Sequence, residues 1–443
     1  MAASLTPDEA RSLAHDGYVW GLPLIYVATQ SDVLTHVTSP TGTRSPINQF
    51  AHYRAFPDAS NKTVVGFNVD TLYSLAQTDL AAEPLLLTVP PMGDRYWIMQ
   101  IIDGWNNVPA APGSRTVGGT GGVFALVGPG WEGTLPDGVI EIRVPTSIAI
   151  IGGRIYTAGP DDYSVVHAIQ DQLSLVPLSA WGTHYTPPVE VPLVPGVQDT
   201  PVPAQINALT AEEFFARLNE LLVTNPPEPA DPETVRRLAA LGVAPGAPCT
   251  IDQQPTDVQT AIEEGIASAR RAILSEEPDL GEHVNGWVVA RDLGRYGTRY
   301  LYRAAWTYFG VGGNLAKDAI YPLAVVDGEG QFLEGAHRYA LLFSGDELPP
   351  VHAFWSVTMY DADSYLVPNA VGIYAVGSRS GLRYADDGSL TIAVQAEQPD
   401  GLSSTNWLPA PANGRFKLAL RLYGPRDEAV KGLWQPPAIH RLG

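Results

Sequence analysis

A chain of 443 residues, 45% hydrophobic and only 17% charged, is long enough for two or three domains with apolar cores of their own and too apolar to stay disordered. Its net charge of −20 excludes nucleic acid as the main partner, because phosphate binding needs a surplus of Lys and Arg, and it argues equally against an anionic membrane surface. A single cysteine, Cys249, excludes an intrachain disulfide framework and a cysteine-based zinc site.

The first segment, residues 1–39, opens on a helix. Thr6, Pro7 and Glu9 make a capping box with proline at the first helical position, and the pattern predicts a helix to about Gly17. Asp8, Glu9 and Arg11 interrupt any apolar core of a signal peptide. The apolar run at 18–28, with Gly21 and Pro23 inside it, is too short to span a bilayer. A cytoplasmic location is the expectation.

Residues 40–160 read as a β module. Runs at 85–89, 96–102 and 123–127 are apolar and β-prone, with Pro90-Pro91 and Gly93-Asp94 as turn chemistry between the first two. Residues 161–319 change character: prolines crowd 176–203, predicting loop, and Thr210 with Glu213 opens a helix through Leu222. Helices are also predicted from Pro232, over 257–274 and over 298–309, so this segment reads as a helical bridge. Strand signals return in residues 320–443, at 339–343, 353–360 and 417–423.

The second half repeats the first. Pro90-Pro91, Trp97 and Asp103 return as Pro349-Pro350, Trp355 and Asp361, with tryptophan and aspartate six residues apart in both. Asp137-Gly138 before an apolar run is echoed by Asp387-Gly388. Arg154-Ile155-Tyr156 before Gly159-Pro160 is echoed by Arg421-Leu422-Tyr423 before Gly424-Pro425. Four anchors in one order predict a mainly β fold with a helical insertion: two related antiparallel β-sandwich or jelly-roll-like modules bridged by helices. Two such modules meeting face to face create a cleft, the usual place for a ligand.

Asn68-Val69-Asp70-Thr71-Leu72-Tyr73-Ser74, followed by Gly93-Asp94-Arg95-Tyr96-Trp97, resembles domain of unknown function 1254. Pro349-Pro350, Phe354-Trp355-Ser356, Met359-Tyr360-Asp361 and Asn406-Trp407-Leu408-Pro409 resemble its usual C-terminal companion, domain of unknown function 1214. The resemblance implies two sandwich-like modules with a helical part between them, and it implies no chemistry. Val69 and His337 depart from the family pattern, in which a basic residue and an Asn often stand at those places.

Candidate chemistry gathers at three places. In residues 68–74, Asp70 and Tyr73 offer a carboxylate and a phenol for proton transfer, against the alternative of an aspartate capping a turn through the Thr71 and Leu72 amides. After the Trp97 strand come Asp103, Trp105, Asn106 and Asn107. Because Asp103 is matched by Asp361, a structural role in a repeated turn is favoured for it. Near residues 283–303, Asn285 and Trp287 precede Arg295, Arg299 and Arg303, spaced by four beside Tyr296 and Tyr300. This row suits either an anion or neighbouring acids.

Standard signatures are missing. Gly377-Ser378-Arg379-Ser380-Gly381 lacks a central serine for a nucleophile elbow, and Gly118-Gly119-Thr120-Gly121-Gly122 lacks the Lys-Ser/Thr ending of a phosphate loop. His337 and His352 lack a His-x-His pair, so no cofactor is expected and a divalent metal stays as an alternative. The expectation is therefore an enzyme of acid/base type, a hydrolase or lyase, acting on a small polar or polyol-like molecule between the β modules and the helical bridge. Asp70 would accept a proton, Tyr73 donate one and Arg95 anchor developing negative charge. Asn68 and Asn285 would orient the substrate, Trp105, Trp287 and Trp355 would line the cavity, and Asp103, Arg295 and Tyr300 would add contacts. The alternatives are a non-catalytic binding or assembly protein, such as a homo-oligomer, and a metal-dependent enzyme.

Overall fold

The computed structural model describes residues 5–60, 66–229, 231–277 and 280–443. Its first half contains β1 (Ala51–His52), β2 (Thr71–Asp79), β3 (Leu85–Val89), β4 (Trp97–Asp103), β5 (Gly122–Val127), β6 (Ile140–Arg143), β7 (Ile148–Tyr156) and β8 (Ser174–Pro177). These form two sheets, ordered β1-β2-β7-β4 and β6-β5-β3-β8. The period of two along each strand explains how they pack. Trp97, Met99 and Ile101 of β4, with Ile151 and Ile155 of β7, point into a core shared with Leu85, Leu87, Phe124 and Leu126 of the second sheet. The intervening residues Ile98, Ile102 and Ile150 point the other way, toward the second half.

The second half contains β9 (Glu282–Val284), β10 (Trp287–Val289), β11 (Ala319–Ile320), β12 (Leu323–Ala324), β13 (Arg338–Phe343), β14 (Val351–Asp361), β15 (Ala375–Gly377), β16 (Leu390–Gln395), β17 (Trp407–Pro409), β18 (Phe416–Pro425) and β19 (Ile439–Leu442). Its large sheet runs β15-β14-β18-β12-β10-β9 with β11 also on β18, and its small sheet runs β17-β16-β13-β19. Trp355, Val357, Met359, Leu418, Leu420 and Leu422 face the small sheet, while Phe354 and Tyr423 face the first half. The molecule is thus mainly β with helices, its pairings predominantly antiparallel. The longer-stranded of the two four-stranded sheets of the first half, β1-β2-β7-β4, and the seven-stranded sheet of the second are the two large sheets, and they back onto each other between the two smaller ones. Strand β8 lies beyond residue 160, β9 and β10 lie before residue 320 and β11 straddles it, so each sandwich borrows strands from the stretch expected to be bridge.

Duplication holds at the level of register. β4 pairs with β7 so that Trp97 opposes Ile155, and β14 pairs with β18 so that Trp355 opposes Leu422. In each small sheet one pair is parallel, β5 with β6 and β16 with β17. That topology corrects one anchor. Asp137-Gly138 leads into β6, the edge strand, whereas Asp387-Gly388 leads into β16, whose counterpart is β5. The two turns resemble each other because both feed a strand.

A helical layer completes the fold. The capping box forms as expected, with the Glu9 amide donating to Thr6 Oγ1 at 3.3 Å and the Thr6 amide to Glu9 Oε2 at 2.9 Å. The helix, however, spans Pro7–Thr35, well past Gly17. Gly21, a breaker by composition, is a contact: a Cβ there would lie 2.6 Å from Leu218 Cδ2 of the Ala211–Leu222 helix, so the small residue lets the two helices approach. Burial on the Ala211–Leu222, Thr256–Ser275 and Tyr300–Phe309 helices carries the helix through Pro23. Among the described residues no helix is long and apolar enough to cross a membrane.

Candidate functional site

The register match lets each residue at the seam be given its twin, and the twins reveal a second repeated motif. Thr71 opposes Tyr156 on β7 and Ala319 opposes Tyr423 on β18, so Asp70-Thr71-Leu72-Tyr73 corresponds to Asp318-Ala319-Ile320-Tyr321. The amide of Thr157 donates to the Asp70 carbonyl at 3.1 Å, as that of Gly424 does to Asp318 at 2.9 Å. A third repeat follows. The Trp97 amide donates to Ser114 Oγ at 3.0 Å and the Trp355 amide to Ser378 Oγ at 3.1 Å, aligning Gly113-Ser114-Arg115-Thr116 with Gly377-Ser378-Arg379-Ser380. Thr116 and Ser380 each accept from the amide of their glycine, at 2.9 and 3.0 Å.

Between the two large sheets opens a cleft of about 1200 Å³ lined by Arg95, Arg115, Lys317, Arg379 and His352 together with Asp94, Asp161, Asp162, Asp318 and Asp427. A recess of about 100 Å³ shares Tyr156, Ala158, Phe354 and Arg379 with it and reaches Asp70, Ser356 and Ser380. Among the described residues none of the four long helices lines either space, so the expected closure by the helical bridge is replaced by module against module.

Asp70 lines the recess. Ser356 Oγ donates to its Oδ2 at 2.7 Å and Tyr423 OH donates to the same oxygen at 3.0 Å. Burial raises the carboxyl above its ordinary value, and the charge of Arg421 and the two hydroxyl bonds offset only part of that rise. Burial, with Asp70 beside it, also holds the Tyr423 phenol well above its usual value, so it stays a donor. Arg421 is itself fully engaged, donating to Thr358 Oγ1 at 2.7 Å, Tyr360 OH at 2.6 Å and the Gly66 carbonyl at 3.0 Å.

Tyr73 is not the phenol on Asp70. Its hydroxyl accepts from Asn68 Nδ2 at 2.5 Å and its ring lies under Arg154, with the guanidinium carbon 5.5 Å from the centroid. The turn cap is Asn68 rather than Asp70: its Oδ1 accepts the Asp70 and Thr71 amides, both at 2.9 Å. Arg95 lines the cleft, but both its terminal nitrogens are on Asp162, at 2.6 and 2.9 Å, and this pair holds Asp162 below its usual value. Of the three residues expected to act together, then, only Asp70 reaches the recess, while Arg95 sits in the outer cleft.

The remaining candidates lie elsewhere. Asp103 caps its turn by accepting the Trp105 and Asn107 amides at 2.9 and 2.8 Å, as Asp361 does for Asp363 and Tyr365 at 3.0 and 2.8 Å. Trp105 is fully buried in the helical layer, 4.8 Å from Trp20, its indole donating to the Pro226 carbonyl. Trp287 is buried in the second sandwich with its indole on the Pro437 carbonyl, and Asn285 holds the Pro436 carbonyl from a left-handed turn. Trp355 borders the recess, but its ring belongs to the sandwich core, 5.4 Å from Phe343. The arginine row is broken because the helix starts at Tyr300: Arg295 is exposed outside it, Arg299 pairs with Asp292, and Arg303 pairs with Glu228 at 2.7 Å. Tyr300 donates to Asp231 at 2.7 Å beside a separate surface depression. Among the described residues no group of three or more His, Cys, Asp or Glu is placed to hold a metal; His337 contacts Arg441 and His352 lines the cleft.

Residues 47–177 match the family described as Protein of unknown function (DUF1254), and residues 318–427 match the one described as Protein of unknown function (DUF1214). The chain belongs to these paired families. The cleft is thus the seam between a DUF1254 and a DUF1214 domain. Among solved structures, the VPA0106 protein from Vibrio parahaemolyticus is 26% identical with a TM-score of 0.74, over 98% of this chain and all 100% of that one. An uncharacterized protein from Burkholderia cenocepacia matches at 14% identity and a TM-score of 0.41, over 96% of this chain and 87% of that one. No curated protein matches the sequence.

Sequence reasoning singled out Asp70 but not the two side chains that bond it in the structure. Ser356 and Tyr423 lie 286 and 353 residues away along the chain, so no local pattern joins them to it. The signal that could have found them is the Asp-x-x-Tyr repeat, which marks Asp318 as the twin of Asp70 and so points to the seam.

Proposed function

We propose that this DUF1254–DUF1214 chain is an enzyme that transfers a proton to or from a small polar molecule held in the seam, with Asp70 as the transferring group. The observation that carries this reading is the Asp70 carboxyl group in the wall of the recess, touched on one oxygen by Ser356 and Tyr423 and raised by burial. A carboxyl raised by burial is a stronger base than an ordinary one when ionised, which is what general acid or base work asks of it. In hydrolysis Asp70 would take a proton from a bound water or from Ser356 Oγ, which already donates to it, as that oxygen bonds to the acyl carbon, and would return the proton to the alcohol oxygen as its bond to that carbon breaks. In elimination it would take the proton from carbon, the C–H electron pair forming the double bond while the group on the neighbouring carbon leaves with its own pair into the cleft.

The test is a turnover screen of small esters, lactones and hydroxy acids on the intact protein and on Asp70→Asn. Asn is isosteric and cannot accept a proton, so turnover should fall by about 10²- to 10⁴-fold while the thermal midpoint barely moves. Equal turnover by Asp70→Asn on a substrate the protein converts would sink the assignment. Saturable binding of screened compounds without turnover would favour a binding protein instead.

A further inference from the structure

We propose that the recess takes the carboxylate of a small organic acid, and that Arg379 grips it as Arg115 grips Asp318. This deepens the proton-transfer reading, and its site is the same, but it stands on a separate observation: the duplicated Asp–Arg pair is closed on one side of the seam and open on the other.

On the closed side, Asp318 of the second half meets Arg115 of the first through two parallel bonds, Nε to Oδ1 at 2.7 Å and Nη2 to Oδ2 at 3.0 Å. This fork-to-fork geometry is the one guanidinium and carboxylate favour. By the register, the twin of Asp318 is Asp70 and the twin of Arg115 is Arg379, so the same bridge is due between Asp70 and Arg379. It does not form. Asp70 turns instead to Ser356 and Tyr423, and Arg379 has no acidic partner among the described residues; its guanidinium carbon stands 5.5 Å over the Tyr156 ring. A difference between the halves accompanies this. Ser356 follows Trp355 where Ile98 follows Trp97, so of these two twinned positions only the serine offers its aspartate a hydroxyl, and on the Asp70 side the Tyr423 hydroxyl joins it.

The result is a guanidinium in the frame that elsewhere holds a carboxylate, facing a recess of about 100 Å³, and Asp70 on its other side. Such a space is on the order of three water molecules at about 30 Å³ each, enough for a carboxylate and one or two further atoms, with the rest of the ligand in the wider cleft. A bound carboxylate would restore the missing bridge and lie beside the group that moves the proton. The chain's charge of −20 makes a cleft arginine with no acidic partner among the described residues unusual, since acids outnumber bases 47 to 27.

The experiment titrates ¹³C-labelled acetate, with acetamide and inorganic phosphate as controls at fixed ionic strength, into the full chain and into Arg379→Gln, Arg115→Gln and Asp70→Asn, followed by NMR. Saturable acetate binding that weakens at least tenfold in Arg379→Gln, stays within threefold in Arg115→Gln, and exceeds both acetamide and phosphate binding is the expected result. Arg379 is exposed, so its loss should leave the thermal midpoint unchanged. Equal acetate affinity in Arg379→Gln, acetamide or phosphate bound as well as acetate, or no acetate binding by the intact protein would overturn the proposal. Asp70→Asn separates the two readings: it should keep acetate while losing turnover. Acetate binding intact in all variants but Arg379→Gln, with turnover unaffected by Asp70→Asn, would remove the proton-transfer reading alone.

Discussion

Asp103 and Asp361 do the same work in the two halves, each accepting two backbone amides across a tight turn, but Asp103 is almost completely buried. Burial is the largest influence on its carboxyl and lifts it to about 6, against which the Asn107 and Trp105 bonds pull only partly. A carboxyl raised on folding binds extra protons in the native state between its unfolded value near 4 and about 6, so stability falls as pH rises through that window. A rise of that size corresponds to at most about 3 kcal/mol. Asp103→Asn keeps an oxygen for both amides and removes the titration. Urea unfolding at pH 4.5 and 7 should show the parent losing more stability than the variant on going to the higher pH. The residue scale is also where the sequence was least legible. Asp70 stood out as a polar residue in a β-prone stretch, and the doubling of Asp103 pointed correctly to a turn. Trp105, Trp287 and Trp355 were read as cavity walls because tryptophan suits a ligand face, yet large aromatic rings serve cores as readily, and their burial depends on partners distant in sequence.

Strand positions were read well because alternation of apolar residues is a local property, and β3, β4, β5, β13, β14 and β18 all fall where it placed them. Helix length was not local in the same way. Gly21 and Pro23 weaken an isolated helix, and what overrides them is contact with Leu218 and the rest of the helical layer. The glycines that open the Gly-Ser-Arg motifs were likewise opaque. A Cβ on Gly377 would lie 2.1 Å from the Trp355 carbonyl oxygen and one on Gly113 would lie 2.7 Å from that of Trp97, both backbone atoms that cannot swing aside. Gly377→Ala should therefore cost about 3 kcal/mol in denaturant unfolding. Gly42→Ala, where nothing lies within 4 Å, should cost little. Equal effects would mean that the strand pair β14–β15 relaxes around the added methyl.

Across the molecule, the helical layer is fastened to the first sandwich by a buried charge. Arg303 is fully buried, pairs with Glu228 at 2.7 Å, and lies over the rings of Trp105 and Tyr300 at 5.3 and 5.4 Å. Glu228 also accepts from Asn107 at 2.8 Å, so one carboxylate serves both the helix and the turn that Asp103 caps. Its neutralisation leaves an uncompensated guanidinium inside, and Glu228→Gln should lower stability by about 3–5 kcal/mol. A loss under 1 kcal/mol in chemical denaturation would show that the aromatic rings alone accommodate the cation. The domain-level picture of two sandwiches joined by helices was readable from the repeats. The position of the cleft was not, because it depends on which outward faces meet, and Arg154, Tyr73, Arg421 and Tyr423 give no local sign that they turn toward a neighbour.

The matched registers make the two flanks of the seam near-mirrors in content, related by exchange of the halves. A lone half associating with a second copy of itself would present two equivalent mouths, one on each flank, each framed by an aspartate and an arginine from different copies. Within one polypeptide the two flanks differ: Arg115 clasps Asp318 on one, and on the other the hydroxyl at position 356 takes the aspartate and leaves the mouth ajar.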